Sequence, residues 1–470
     1  MVFLISYHSL PTEMTLFQKL LFTWREDGLL RRVVKNSAHL LSGSAVSAGL
    51  GFLQGILVVW LIGFAQAGLV TVIIVFATNI NRLLSFRMSE VVVQRLGVAL
   101  PRISPGSSTG QGKKAEAAAT VKTAMLAEAL TSVVAFIILV MLVPWAAVLF
   151  GKDAQIAPLF LFYGLILLSN IIAESSTGVL QGLQRFDVIA RINIVQSICT
   201  TAIILFAFLT HGDIRAIILG YTVGKTINGL GLAVFALREV HKTLGADWWK
   251  APFQHLPNPR GMFSFMVNTN LNGTINLFTR DSMPLFLAAF LSTTEVGYFS
   301  IALTWVNFIM LPLDPLIGPT YAEISRTVAL EQWDLTRQLL RRVSLISASV
   351  VLSVGGILAL TGWFFLPFIY RRPEAVMAYP ALLILLVGYG FASIFQWNRP
   401  LLLALGKPGY PVLVTLLVGI IELMLIVILV PHMGYLMLAA ILSGYFVFSI
   451  GFIVWRGLRE ITLRASIPNV

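Results

Sequence analysis

The chain has 470 residues, of which 57% are hydrophobic and only 11% charged, against about 25% charged in an ordinary soluble domain. So few polar residues cannot clothe a soluble globule of this length, and a single cysteine with no Gly-periodic or charge-rich tract excludes a disulfide scaffold, a collagen-like fibre and a disordered chain. The net charge of +12 would suggest nucleic acid in a soluble protein; in this chain the placement of the charges carries more information than their sum.

Residues 1 to 13 lack the order of basic, apolar and small-residue regions that marks a signal peptide and are expected to stay in the mature chain. From Leu16 to Val34, Phe17, Leu20, Leu21 and Trp24 alternate with Lys19, Arg25, Arg31 and Arg32. Such a basic amphipathic segment lies along lipid headgroups. Crossing a hydrocarbon core of ~30 Å takes about 20 apolar residues, and twelve stretches qualify: 40 to 64, 67 to 88, 123 to 149, 157 to 180, 189 to 210, 214 to 237, 262 to 291, 296 to 320, 343 to 369, 376 to 403, 411 to 430 and 435 to 455.

With both termini in the cytoplasm, and with the span-end residues Arg87, Arg191, Arg215 and Arg399 counted with the adjoining loops, 26 of the 33 basic residues fall on the inner side, four outside and three within spans. The excess of basic residues on inner loops therefore predicts a cell-membrane protein oriented N-in, C-in. External connections are short, which leaves no room for an extracytoplasmic catalytic domain. The expected organisation is an amphipathic segment 1–37, a first lobe 38–240 with spans 1 to 6, a linker 241–261 that holds the interfacial Trp248, Trp249 and Lys250, a second lobe 262–456 with spans 7 to 12, and a tail 457–470. Gly68 and Gly297, after the external turns before spans 2 and 8, are 229 residues apart; Gly212 and Gly434, before spans 6 and 12, are 222 apart. Offsets near half the length predict two six-helix halves in parallel repeat, with the transport path between them.

The chemistry of an enzyme is missing. The six histidines have no zinc-like spacing and Cys199 sits in an apolar helix. Gly220 to Thr226 has three residues rather than four between its glycines and no preceding strand, so it is not a phosphate loop. No cofactor is expected.

An ionisable residue inside a span is unfavourable by about 2.5 to 3.5 kcal/mol on insertion scales and is a functional candidate by default. Lys225 lies mid-way along span 6 and Arg82 mid-way along span 2. In span 7, Asn268, Asn272, Asn276 and Arg280 recur every fourth residue, which on a helix makes one slanting polar stripe that must face protein or a wet cavity. Asp281 is adjacent to Arg280, and neighbouring helical residues serve different partners. Arg87 reads as a side chain reaching for the inner headgroups. Asp314, between Pro312 and Pro315, sits at a hinge where a cation could bind; Glu128, Glu174 and Glu422 are isolated acids that burial could hold protonated.

Three segments resemble polysaccharide-type flippases of the multidrug/oligosaccharidyl-lipid/polysaccharide exporter superfamily: Gly178-Val-Leu-Gln-Gly182-Leu-Gln-Arg185-Phe-Asp187-Val-Ile-Ala-Arg191; Glu295-Val-Gly297-Tyr298-Phe-Ser-Ile-Ala302 with Pro319 and Glu323-Ile-Ser-Arg326; and Ala404-Leu-Gly406-Lys407-Pro408 with Pro431-His-Met-Gly434. The resemblance runs in order along nearly the whole chain. It implies an all-α bundle of about twelve transmembrane helices, two six-helix lobes in a V around a cavity open alternately to either side. The cargo it implies is a lipid-diphosphate-linked oligosaccharide moved from the cytoplasmic to the outer leaflet. Lys225, Arg280 and Arg82, with Asn268, Asn272 and Asn276, would then hold the cargo, and Asp281, Asp314 or Glu174 would couple transport to a cation gradient. Expected partners are the cargo, the membrane and the glycosyltransferases or polymerase of polysaccharide assembly, with no nucleic acid and a single copy as the working unit. A multidrug:cation antiporter of the same superfamily is the alternative, although span 1 has no acid; lipid II flippases have fourteen spans. From another class, a membrane polysaccharide polymerase or ligase would need a large external loop, and a twelve-span facilitator would need a charged turn that Arg95 to Lys114 lacks.

Overall fold

The computed structural model describes residues 28–466 apart from 86, 100–107, 257, 259, 263–269 and 271–272. The amphipathic stretch before residue 28 and the stripe residues Asn268 and Asn272 lie outside the described residues. The rest is an all-helical membrane protein. Among the described residues nine helical stretches are long and apolar enough to cross a bilayer. Two of them, α1 (Gly28–Leu84) and α15 (Gly409–Ala465), contain a residue with non-helical dihedrals, Gly63 (φ 76°, ψ 176°) and Gly434 (φ 77°, ψ −170°). Glycine alone adopts this region without strain.

Both helices reverse there. From Phe52 to Phe64 the chain passes from Trp305 and Phe308 to Tyr298, whereas the second limb starts at Gly68 beside Thr293 and Gly297 and runs back, so that Thr71 and Thr78 share a cavity with Ser300 and Asn307. The two limbs therefore run in opposite directions along one helix, α10 (Thr293–Met310). In α15, Tyr410 lies under Arg456 and Gly419 lies beside Tyr445, so that helix folds back as well. Reversals at single glycines join what the hydropathy pattern separates into spans 1 and 2, and 11 and 12.

Between these come α2 (Met88–Ala99), α3 (Ser108–Gly151), three short helices α4 (Ala157–Gly164), α5 (Ile166–Ser169) and α6 (Ala173–Gly182), then α7 (Phe186–Leu209) and α8 (Ile214–Leu244). The second half has α9 (Met283–Phe290), α10, α11 (Ile317–Ala329), α12 (Trp333–Tyr370), α13 (Ala378–Ile394), α14 (Asn398–Ala404) and α15. Two sequence expectations need correction. Span 4 is not one helix over 157–180, because the chain turns at Asn170 to Ile172. Span 2 ends at Leu84 rather than 88, and Arg87 adopts a left-handed φ of 48° before α2 begins.

The repeat is visible as contact geometry. A Cβ on Gly68 would lie 1.9 Å from the Thr293 carbonyl oxygen, and one on Gly297 would lie 2.3 Å from the Phe64 carbonyl oxygen. Thr293 precedes Gly297 by four residues, as Phe64 precedes Gly68, so the contact is reciprocal in the way a two-fold requires. A second correspondence lies at the other end. The amides of Leu183, Gln184 and Arg185 bond to Val179, Gln181 and Leu180, and those of Leu405, Gly406 and Lys407 bond in the same order to Leu401, Leu403 and Leu402. Gln184 and Gly406 both have positive φ, and both helix ends close with the same type of cap. Arg185 then pairs with Glu239 on α8, and Lys407 with Glu460 on α15. Hydrogen bonding to Asp187, together with the charges of Asp187 and Glu239, holds the Arg185 guanidinium above its ordinary pKa. The Gly212–Gly434 pair fares less well, since His211 rather than Gly212 takes the left-handed conformation in the first half.

One continuous apolar core joins the two halves around Phe64, Val72, Phe299, Ala302 and Leu438. Toward the opposite end it divides into two clusters, one around Val92, Val121, Leu180 and Ala236, the other around Ile324, Leu340, Leu401 and Ile461. The halves thus share a core at the Gly63 end and separate at the Arg87 end.

Candidate substrate cavity

At the Gly63 end the halves are stitched by specific contacts. Trp60 Nε1 donates to the Ile369 carbonyl at 2.8 Å, the Arg371 guanidinium lies 4.4 Å from the Trp60 ring centroid, and Lys152 donates to the Ala289 carbonyl at 3.0 Å. Phe64 packs on Tyr298 and Tyr370. Further along, Asn79 donates to Ser282 Oγ at 2.9 Å, and Arg82 reaches Asp281 at 2.5 Å.

Beyond that pair a cleft of about 450 Å³ opens between the halves, lined by Arg82, Ser85, Arg87, Asn276, Arg280 and Asp281 among others. A pore of about 310 Å³ in the first half adjoins it through Ser85, Ser89 and Glu174, and holds Lys225 with Asn170, Asn228 and Glu128. A third space of about 340 Å³ shares Arg82, Arg280 and Asp281 and reaches up to Thr71, Thr304 and Tyr389. Together they form one polar interior surface in a protein whose exterior is largely apolar, with exposed residues such as Met141, Leu352, Leu360 and Phe368.

Of the residues proposed from sequence to hold the cargo, Arg82, Asn276 and Arg280 line one cleft, and Lys225 lies in the adjoining chamber. Arg280 and Asp281 do serve different neighbours. Arg280 lies over Tyr389 and Phe446, at 5.8 and 6.0 Å from their centroids, while Asp281 takes Arg82. They lie in a π turn, Leu277–Asp281, which inserts one residue and rotates the register; π turns of this kind are frequent at functional sites. The regular four-residue stripe of the sequence is therefore interrupted between Asn276 and Arg280.

Among the described residues neither Lys225 nor Arg280 pairs with a carboxylate, while the other two cations of the cleft are paired, Arg82 with Asp281 and Arg87 with Glu90. Glu174 accepts from Ser85 Oγ at 2.7 Å. Asp314 lies in the 3-10 stretch Leu311–Leu316 that follows α10.

Two residues acquire parts that the sequence does not announce. Arg87 enters the cleft because the helix breaks before it. Glu128, 4% exposed, accepts the backbone N–H groups of Glu174 and Ser175 at 2.8 and 2.7 Å. It thereby caps α6 from across the bundle and satisfies donors that the break at Asn170 leaves free within the membrane. Glu422 is 2% exposed and neither carboxyl oxygen has a partner among the described residues.

Comparison with known proteins agrees with this geometry. The chain is 24% identical over 304 residues, 64% of its length, to the Inner membrane protein YghQ of Escherichia coli (strain K12), covering 83% of that protein. Its fold is similar to that of the lipid II flippase MurJ in an inward closed conformation, with a TM-score of 0.67 at 13% identity over 91% of this chain and 89% of that one. It is also similar to an inward-facing multidrug resistance MATE family transporter of the MOP superfamily, with a TM-score of 0.66 at 12% identity over 90% and 96% of the two chains. Residues 33–324 match the polysaccharide biosynthesis protein family, and the chain belongs to that family, with the fold of the MOP superfamily.

Proposed function

We propose that this protein is a twelve-span flippase, two six-helix lobes in a V, that carries lipid-diphosphate-linked oligosaccharides from the cytoplasmic to the outer leaflet of the inner membrane. The observation that carries the reading is the arginine cleft between the halves, where Arg82 and Arg87 hold carboxylates and Arg280 is left without one. Guanidinium groups bind phosphate with two parallel hydrogen bonds, and in a site screened from bulk water those contacts gain strength. With an N-in, C-in orientation the shared core lies outside and the cleft opens to the cytoplasm, where such a cargo is made. Drug export fits less well, because span 1 has no acid and its amide, Gln54, is already committed to Ser197 and Thr201 on α7.

Asp281 supplies a route to coupling. A diphosphate that takes Arg82 displaces the Asp281 carboxylate, which then accepts a proton or metal cation in place of the arginine. Asp314 and Glu174 are the other acids proposed for this role. The lobes rock about the Gly68–Gly297 contact between inward and outward openings, and no step forms or breaks a covalent bond, which separates this reading from a polymerase or ligase.

Proteoliposomes loaded with a polyprenyl-diphosphate oligosaccharide test both parts. Arg280→Ala is expected to lower flipping about tenfold or more, since hydrogen bonds to charged groups contribute about 1.5–3 kcal/mol. Asp281→Asn is expected to leave flipping no longer responsive to an imposed H⁺ or Na⁺ gradient. Unchanged flipping in Arg280→Ala, Arg82→Ala and Lys225→Ala alike would sink the cargo assignment; a full gradient response in Asp281→Asn would remove that acid from coupling.

A further inference from the structure

We propose that the cargo carries an acidic sugar, and that its carboxylate is received by Arg399 in a side chamber of the second half. The inference rests on the flippase reading and specifies its substrate class. A space of about 230 Å³ lies between the π turn region, α14 and the two limbs of α15. Asn276 lines both this chamber and the arginine cleft, so the two are neighbours on either side of it. Arg399 is exposed at the second residue of α14 and has no carboxylate partner among the described residues.

The other polar groups of the chamber discriminate between anions. Asn398 spends its amide N–H on the Phe395 carbonyl at 2.7 Å, and Thr415 spends its hydroxyl proton on Pro411 and Val412. What remains is an acceptor oxygen on each and one further N–H on Asn398, with the amide of Asn276 and the hydroxyl of Tyr445 beside them. A diphosphate brings only acceptors and leaves the oxygens of Asn398 and Thr415 without a donor, whereas a sugar brings hydroxyls that both donate and accept and, if oxidised to a uronic acid, a carboxylate for the guanidinium. Tyr445 adds an aromatic wall against which the C–H face of a sugar ring can pack. The chamber is below the roughly 300–1,000 Å³ of drug-sized sites, which suits one ring of a longer glycan.

The test uses the full-length protein in proteoliposomes with two synthetic probes, a polyprenyl-diphosphate disaccharide ending in glucuronic acid and the same disaccharide ending in glucose. Arg399→Gln is expected to slow the glucuronic probe about tenfold and the glucose probe little, with Arg399→Lys in between. Equal slowing of both probes, or of neither, overturns the proposal. If wild type flips neither probe, the flippase reading fails on its own, and binding decides the chamber: free glucuronosyl disaccharide and inorganic pyrophosphate are titrated onto purified wild type and Arg399→Gln. Disaccharide binding that depends on Arg399 while pyrophosphate binding does not upholds the acidic-sugar site. Absence of disaccharide binding, its persistence in Arg399→Gln, or pyrophosphate binding lost in that variant overturns it.

Discussion

At the scale of single residues, the cavity shows why some functional side chains stand out in a sequence and others do not. Arg82, Arg280, Asp281 and Asn276 are polar groups inside long apolar runs, and the cost of burying them makes them conspicuous in the hydropathy pattern alone. Arg87 and Arg399 sit near span ends, where reaching for headgroups explains a cation equally well, so only the break at Ser85 and the placement of α14 bring them to the cavity. Glu128 is hidden for a different reason: its partners are the amides of Glu174 and Ser175, 46 and 47 residues away, and no pattern around Asn170 announces that those amides need an acceptor. Its part is testable. In Glu128→Gln the amide can accept from one N–H but presents its own NH₂ to the other, so a loss of about 1–3 kcal/mol is expected, read as a lower melting midpoint in detergent. An unaltered melting point would mean that the α6 terminus is satisfied without the carboxylate.

At the scale of elements, regular helices are legible and departures from regularity are not. The spans emerge from hydropathy because a lipid solvent demands long apolar helices. The π turn at Leu277–Asp281 contains neither proline nor glycine, although Pro284, whose ring would meet the Arg280 carbonyl of a regular helix, lies just beyond it; the turn shifts the register of Arg280 and Asp281 against Asn276. The matched caps after α6 and α14 are equally silent, since Gln184 and Gly406 differ in type while sharing a conformation. Each cap is held by a charge clamp, and the two clamps differ in strength. Glu239 meets Arg185, whereas Glu460, at 8% exposed, gathers Lys407, Arg456 and Arg464. Removing Glu460 leaves three cations crowded together; removing Glu239 breaks a partly solvated pair worth about 1 kcal/mol or less. Thermal melts should therefore rank Glu460→Gln below Glu239→Gln, and the reverse order would show that solvent screening cancels the cluster.

At the scale of the whole molecule, the repeat offset of 229 residues read from Gly68 and Gly297 marks a backbone contact between the halves at the end where they share a core. These two glycines are where the halves approach most closely, backbone against backbone, and the shared core surrounds them. A side chain at either position cannot be accommodated by a rotamer change, because the atoms in the way are carbonyl oxygens of Thr293 and Phe64. Gly68→Val must therefore separate α10 from the second limb of α1, at a position that lines none of the arginine cleft. The expected result is a bias toward the conformation open at the Gly63 end. In a Cys199→Ser background, a cysteine placed at Tyr298, which is partly covered by Phe64 and Tyr435, should react faster with an impermeant thiol reagent added to intact cells once Gly68→Val is present. A cysteine at Ser89, in the cleft, should become less reactive from the cytoplasmic side in inverted vesicles. Opposite shifts at the two positions are what a rocking motion about the glycine contact requires. Parallel increases at both would instead mean that the substitution loosens the bundle as a whole, and that the Gly68–Gly297 contact supports the fold without governing which side is open.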